Sequence, residues 1–224
     1  IREIKEAKVV VDLFGGSWLL SHISKFCLPD AQVVYNDYDG FRERLANVDR
    51  TNEMLRGLRE VVSGVQSDKR VPDDVRGEIL RFISSYEKSG FVDYITLGSS
   101  LLFSGKRAIC YDELAKHTMY NCVKMSNYDV EGYLEGVEIV SEDYKSLYAR
   151  FKDVEGVVFL VDPPYLSTDV GQYKCYWKLG DYLDVLNVLE AKRYFYFTSN
   201  KSQIIELCGW IRDNIEGGCD PFNG

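Results

Sequence analysis

The fold is decided by residues 8–17, which read KVVVDLFGGS. The first half of this stretch is apolar without alternation, which is typical of a strand that is buried on both faces of a parallel sheet. Two glycines then allow a tight turn, and a helix is predicted over residues 17–27. A second run with strand character, QVVYND, follows at residues 32–37. The sequence therefore predicts a strand–helix–strand unit with a parallel pair of strands.

The same alternation returns in the second half of the chain, where three more strands are predicted. The strands lie at residues 137–140, 156–161 and 193–198, and helices are predicted at residues 143–151, 181–190 and 201–208. Five strands that alternate with helices predict an α/β fold, in which a mostly parallel Rossmann-like sheet carries helices on both faces. Ligands of such sheets bind beyond the carboxyl ends of the strands.

Residues 41–135 interrupt this alternation and are predicted to form a mainly helical insertion. A first long helix keeps one face apolar for about six turns, through Phe41, Leu45, Val48, Leu55, Leu58 and Val62. A second helix is predicted over residues 73–89, and residues 90–135 are less regular. The predicted domains are a core of residues 1–40 and 136–224 and an inserted region of residues 41–135.

The charge balance is acidic, with 27 Lys and Arg against 35 Asp and Glu and a formal net charge of −8. A protein that holds nucleic acid through bulk charge normally has a basic face, so this balance argues against that class. Net charge does not locate the charges, and a local basic cleft remains compatible with it.

Cysteine and histidine usage argues against a metal site. The six cysteines are scattered without a CxxC pair, and the chain has only two histidines. We therefore expect free thiols in a reducing cytoplasm and no metal. No apolar run approaches the roughly 18–20 residues of a membrane span, and no charged-then-apolar leader opens the chain. The expectation is a cytoplasmic protein without membrane contact, either monomeric or weakly dimeric.

The sharpest motif is DPPY at residues 162–165, which follows the predicted strand at residues 156–161. Two prolines remove two N–H donors and stiffen the backbone, which leaves nearby carbonyls fixed in direction. A carboxylate beside such a carbonyl can accept both hydrogens of one amino group, and Tyr165 offers a flat face for stacking. The combination suits the exocyclic amine of adenine or cytosine.

A nucleoside-containing cofactor is indicated by the first two predicted strands. Gly15 and Gly16 permit close approach of a ligand to the backbone at a helix N-terminus. Asp37 lies 25 residues after Asp12, at the end of the next predicted strand, where it can accept hydrogen bonds from ribose hydroxyls. The same layout serves dinucleotide enzymes, although the full GxGxxG spacing is missing.

Taken together, these residues resemble the Dam-like N6-adenine DNA methyltransferases, which use S-adenosylmethionine. In that family a glycine motif comes first, a target-recognition insertion follows, and DPPY comes later. The resemblance covers roughly residues 8–40 and 136–208. It implies a catalytic set of Asp162, Pro163, Pro164 and Tyr165. It implies a cofactor-binding set of Asp12, Phe14, Gly15, Gly16, Ser17, Asn36, Asp37, Asp143 and Tyr144.

Two features depart from the family pattern. The family usually has F-x-G-x-G, and aligning Phe14 and Gly16 with it puts Trp18 at the last glycine. The indole would then either crowd the methionine end of the cofactor or lie over it. The family also carries a lysine-containing cofactor motif before the first strand, where only residues 1–7 stand here.

The resemblance implies methylation of an adenine that is flipped out of double-stranded DNA. Asp162 and the Pro163 carbonyl would hold the amine, and Tyr165 would stack on the ring. The DNA contacts are expected from Arg42, Arg44, Lys69, Arg70, Lys106, Arg107, Lys174 and Lys178. Three alternatives stay open: methylation of adenine in RNA, methylation of a protein glutamine, and a catalytically impaired cofactor-binding remnant. The glutamine enzymes usually carry Asn in place of Asp162.

Overall fold

The residues that the structure describes include a parallel sheet of five strands. The computed structural model describes residues 6–103, 106–164, 178–189, 193–198, 203–216 and 218. The strands are β1 (Val9–Asp12), β2 (Gln32–Asn36), β3 (Val137–Val140), β4 (Val157–Val161) and β5 (Tyr194–Tyr196). They are ordered β3-β2-β1-β4-β5, and every pair is parallel. The predicted α/β fold with a Rossmann-like sheet is confirmed.

The helices of the described residues fall into two groups. Four of them alternate with the strands: α1 (Leu19–Cys27), α7 (Tyr144–Phe151), α8 (Leu179–Val188) and α9 (Gln203–Asn214). The other five follow one another between β2 and β3: α2 (Phe41–Ala46), α3 (Val48–Val61), α4 (Asp73–Glu87), α5 (Tyr94–Leu101) and α6 (Tyr111–Lys116).

The central strands are covered by helices on both faces, which explains their continuous apolar sequences. On one face, Val9 and Val11 share a buried cluster with Leu147 of α7 and Val185 of α8. On the other face, Val10 shares a cluster with Leu20 of α1. Because successive side chains of a strand point to opposite faces, each of these valines leaves water, at a gain of about 1.5–3 kcal/mol each.

The strand order reverses between β1 and β4. From β1 the chain proceeds to β2 and then β3 on one side, whereas β4 and β5 lie on the other. In open sheets of this kind, ligands bind beyond the carboxyl ends of the strands at the point of reversal. Asp12 ends β1 and Asp162 directly follows β4, so the reversal places both acids at this edge.

The chain divides into two compact units, residues 1–41 with 132–224, and residues 42–131. The sequence-based division lay at residues 40 and 136. Residues 42–131 have their own apolar core, which includes Leu55, Leu58, Ile79, Ile83 and Leu97. The assignment of this unit to target recognition stays a prediction.

The long helix predicted from residue 41 is instead two helices, α2 and α3. Asn47 lies between them, and its side-chain amide donates to the Glu43 carbonyl at 2.9 Å. Such a bond offers the backbone an alternative to a helical hydrogen bond. Helix α2 contains no buried residue, whereas Leu55 and Leu58 of α3 are fully buried. The predicted apolar face therefore holds only over the second of the two helices.

Helix α5 lies in a region for which the sequence predicted less regular structure. Its N-cap is Asp93, whose carboxylate accepts hydrogen bonds from the Thr96 amide at 3.0 Å and from the Thr96 hydroxyl at 2.6 Å. Arg44 also donates to both carboxylate oxygens of Asp93 at 3.0 Å. The cap and its arginine partner fix the start of this helix.

Two further observations concern the described residues only. None of their helices combines the length and the apolar character that a membrane crossing requires. Their four cysteines, Cys27, Cys110, Cys122 and Cys208, are not joined in disulfides.

The helices of residues 42–131 offer a paired test of packing. A Cβ atom added at Gly57 in α3 would lie 2.4 Å from Cζ of Phe82, whereas one added at Gly77 in α4 would meet no atom within 4 Å. We expect Gly77→Ala to raise the free energy of unfolding by about 0.5–1 kcal/mol through helix propensity. Gly57→Ala should lower the free energy of unfolding, because the Phe82 ring must move to admit the new methyl group. Urea denaturation of both variants would contradict this packing if they were equally stabilised.

Candidate active site

The turn after β1 is built so closely that its first glycine admits no side chain. The Trp18 amide donates to the Gly15 carbonyl at 2.8 Å, which closes the turn. A Cβ atom at Gly15 would lie 2.0 Å from Cε2 of Tyr35 and 2.8 Å from the Asn36 carbonyl oxygen. Gly16 has a φ of +47°, a conformation that glycine adopts without cost. Both glycines of the motif are thus required by the geometry of the turn.

Tyr35 of β2 lies beneath this turn. Its hydroxyl oxygen is 2.9 Å from the Gly16 carbonyl oxygen and 3.2 Å from Oδ1 of Asp37. Burial of the ring and the Asp37 carboxylate both raise the pKa of Tyr35, so the hydroxyl keeps its hydrogen and acts as a donor. Sequence analysis did not single out Tyr35. The sequence feature that could have identified Tyr35 is an aromatic residue two positions before Asp37, the predicted ribose-binding acid.

Trp18 belongs to the core of the sheet domain. Its side chain is fully buried, and its ring centroid lies 4.0 Å from that of Tyr35. A side chain without exposed surface presents nothing to a bound molecule, so neither reading of the indole, crowding or covering the cofactor, agrees with its position. The φ of Trp18 is +70°. Glycine takes this left-handed conformation freely, which gives a physical reason for the glycine that the family pattern has there.

Asp12 is a fully buried carboxyl at the end of β1. Its Oδ2 accepts a hydrogen bond from the Ser21 hydroxyl of α1 at 2.7 Å, whereas Oδ1 has no partner among the described residues. Burial raises the pKa of Asp12 from 3.8 to about 7. The charge of Asp162 adds to this increase, and hydrogen bonds from Ser21 and the Phe14 backbone oppose it. Asp12 therefore underlies the site rather than lining it.

Asn36 ties together the ends of three strands. Its side-chain nitrogen donates to the carbonyls of Leu13 and Glu142 at 3.0 and 2.9 Å, and its side-chain oxygen accepts from the Glu142 amide at 3.0 Å. The amide of Asp37 donates to the Val140 carbonyl at 2.7 Å. The side chain of Asn36 is thus occupied by backbone groups, which assigns it a supporting position in the predicted cofactor-binding set.

Asp143 and Tyr144 lie at the start of α7. Asp143 is the N-cap residue of this helix, and its Oδ1 accepts from the amides of Lys145 and Ser146 at 2.9 and 3.4 Å. The Asp143 side chain is nevertheless exposed. The ring of Tyr144 packs against Phe14 from the turn after β1, with centroids 5.0 Å apart. This aromatic contact brings the start of α7 next to the glycine turn.

The first three residues of the DPPY motif lie directly beyond β4. Asp162 is half-buried, and Pro163 and Pro164 are buried. The strand is anchored on both sides at this point, because the Leu13 amide donates to Leu160 at 3.1 Å and the Phe197 amide donates to Val161 at 2.8 Å. Tyr165 lies outside the described residues.

The geometry suits a nucleoside-containing cofactor at this edge of the sheet. Gly16 is exposed, and a Cβ atom there would meet only the Phe14 carbonyl, at 3.5 Å, so the backbone is open to close approach. Asp37, which directly follows β2 and is mostly buried, is the acid that the resemblance assigns to the ribose hydroxyls. Ser17 is also exposed. No group of metal-ligating side chains is present among the described residues.

Comparison with known proteins finds a relative with extensive similarity. The chain is 36% identical over 213 residues to a Haemophilus influenzae (strain Rd) protein named "Putative methyltransferase". The alignment covers 93% of this chain and 71% of that protein. No family model matches the chain.

The buried carboxyl of Asp12 should make stability depend on pH. Because its pKa is raised in the folded protein, folding disfavours its charged form, so this group lowers stability as pH rises from about 4 to 7. Asp12→Asn removes the ionisation while keeping an oxygen for Ser21. We expect the free energy of unfolding of the variant, relative to the original protein, to rise across this window by up to about 4 kcal/mol.

Urea denaturation at several pH values between 4 and 8 measures the difference. The exposed Asp30 provides the control substitution, Asp30→Asn. A constant difference between Asp12→Asn and the original protein across the window would contradict the raised pKa of Asp12.

Trp18→Gly should destabilise the protein, although it restores the family pattern. The change relieves a left-handed backbone that costs about 1–2 kcal/mol, but it removes a fully buried indole whose loss costs about 3–5 kcal/mol. A net loss of about 1–4 kcal/mol in urea denaturation is therefore expected. Trp18→Phe, which retains a ring against Tyr35, should lose less. An increase in stability for Trp18→Gly would show that the indole does not fill the core.

Proposed function

This chain belongs to the methyltransferase family of the Haemophilus influenzae protein, and we propose that it methylates the N6 amine of adenine in DNA with S-adenosylmethionine. The observation that carries the proposal is the position of Asp162 and Pro163. They follow β4, next to the end of β1 and its glycine turn. The two acceptors that would hold an amine and the turn that would meet the cofactor thus lie at the ends of adjacent strands.

The chemistry requires orientation more than activation. The lone pair of an adenine amine is delocalised into the ring, so the nitrogen is a poor nucleophile until it becomes pyramidal. The Asp162 carboxylate and the Pro163 carbonyl would each accept one of its hydrogens and favour that geometry. The buried prolines keep the second acceptor rigid. Such preorganisation, rather than a strong base, would lower the barrier.

The cofactor would supply an electrophilic methyl group bonded to a positively charged sulfur. Asp162 and the Pro163 carbonyl would aim the amine at this methyl group; transfer would break the carbon–sulfur bond with its electron pair staying on sulfur, and the nitrogen would release one proton to solvent. Asp37 would hold the ribose hydroxyls, and the backbone at Gly16 would approach the cofactor closely. The exposed Asp143 side chain and the Tyr144 ring would hold the adenine of the cofactor.

The charge distribution supports DNA contact through residues 42–131. This unit carries 14 Lys and Arg and 14 Asp and Glu and is formally neutral, so the net charge of −8 lies entirely in the remaining unit. The neutral unit therefore meets less repulsion from phosphates. Exposed cations are available on it at Lys69, Arg70, Lys106 and Arg107. Arg44, by contrast, is half-buried and engaged with the buried Asp93, which leaves it less available to phosphates.

Particular residues bear on the three alternative functions, which are methylation of a protein glutamine, a cofactor-binding remnant and methylation of adenine in RNA. A carboxylate at Asp162 favours a nucleobase over a protein glutamine, for which the resemblance expects Asn. The remnant hypothesis depended partly on Trp18 blocking the cofactor, and burial of Trp18 in the core removes that reason. Methylation of adenine in RNA uses the same acceptors and is distinguished by the choice of substrate.

Methyl transfer from labelled S-adenosylmethionine to duplex DNA, RNA and glutamine peptides tests the proposal. We expect transfer to duplex DNA, and we expect Asp162→Ala to lower turnover and kcat/KM together by at least about a hundredfold. Binding of cofactor and of DNA should change little in this variant. Asp30→Ala, which lies before β2 at the opposite edge of the sheet, is the matched control. Undiminished transfer by Asp162→Ala would remove this residue from the catalytic centre.

A further inference from the structure

We propose that Tyr35 is a positioning residue for the ribose of the cofactor, because its hydroxyl joins the glycine turn to the ribose-binding carboxylate. This inference rests on the proposed use of S-adenosylmethionine. Tyr35 is only 1% exposed, so it would act through Gly16 and Asp37 rather than by touching the cofactor.

The hydroxyl bridges two groups that belong to different loops. It lies 2.9 Å from the carbonyl oxygen of Gly16, after β1, and 3.2 Å from Oδ1 of Asp37, after β2. A hydroxyl has one hydrogen to donate, and its two acceptors here share it. The distance between the turn and the carboxylate is thereby fixed by a single atom.

This restraint bears on ribose recognition because a carboxylate that serves two adjacent hydroxyls must have a defined orientation. Contact of Oδ1 with Tyr35 restricts rotation of the Asp37 side chain about its terminal bond. The Asp37 backbone is already held by the bond from its amide to the Val140 carbonyl at 2.7 Å. Backbone and side chain of Asp37 are thus both held by neighbouring groups of the sheet domain.

The ring that carries the hydroxyl is itself immobilised. Trp18 packs against it at a centroid distance of 4.0 Å, with an angle of 34° between the rings. Gly15 lies so close to the ring edge that a Cβ atom there would be 2.0 Å from Cε2. The buried tryptophan thus contributes to the site indirectly, by holding the ring that positions the two cofactor-facing groups.

Tyr35→Phe tests the inference, because it keeps the ring and removes only the hydroxyl. Calorimetry should measure binding of S-adenosylhomocysteine and of an analogue that lacks both ribose hydroxyls. We expect Tyr35→Phe to weaken S-adenosylhomocysteine binding about five- to tenfold. The affinity for the analogue should decrease by less than about twofold, since that ligand offers Asp37 no hydroxyl. In turnover assays, KM for S-adenosylmethionine should rise while kcat changes little.

Tyr94→Phe is the matched control, because it removes another buried tyrosine hydroxyl that donates to a carboxylate, Glu87 at 2.7 Å, within residues 42–131. It should leave cofactor affinity unchanged. Equal losses of both ligands in Tyr35→Phe would overturn the positioning role, as would an unchanged affinity for S-adenosylhomocysteine. Either result would leave the proposed function intact if the original protein binds S-adenosylhomocysteine. Failure of the original protein to bind this ligand would overturn both.

Discussion

The burial of β1 is the constraint on which the rest of the site depends. This strand is hydrogen-bonded to β2 on one side and to β4 on the other, and helices cover both of its faces. Its carboxyl end therefore has one position relative to the ends of both neighbours. The glycine turn, the carboxylate after β2 and the DPP segment after β4 are brought together because each continues a strand of this central group.

Placing functional groups at the end of a buried strand has an energetic cost that the structure makes visible in Asp12. A carboxyl with no exposed surface loses its hydration, and hydrogen bonds from Ser21 and the Phe14 backbone compensate only part of the loss. Asp162 adds a second carboxyl nearby and increases the cost. Natural proteins tolerate such local conflicts mainly where a site requires them. Two observations therefore indicate the same edge of the sheet. One is the raised pKa of Asp12, to which Asp162 contributes, and the other is the reversal of the strand order.

Trp18 shows how a departure from a family pattern can be structural. At its left-handed backbone position, glycine avoids strain and tryptophan does not. The burial of the indole against Tyr35 offsets that strain, since a large aromatic side chain contributes more through burial than the backbone conformation costs. Compared with a glycine at this position, Trp18 has a strained backbone but packs a rigid ring beneath the turn. Trp18 therefore supports the site from within the core and does not line it.

The sequence by itself was sufficient for the sheet, because strands buried on both faces leave continuous apolar runs such as those that became β1 and β4. Glycines at a tight turn and prolines after a strand are likewise local signals, and they located the candidate site at the strand ends. The break at Asn47 and the helix capped by Asp93 were missed, since each depends on side-chain hydrogen bonds that periodicity does not record.

Only the tertiary structure decided how the site is supported. Tyr35 meets Gly16 across 19 residues of chain, and Asn36 meets Glu142 across 106. The raised pKa of Asp12 and the burial of Trp18 follow from packing between elements that are distant in sequence. Local sequence patterns determine which elements form, whereas contacts between distant residues determine which side chains face a ligand and which hold them in place.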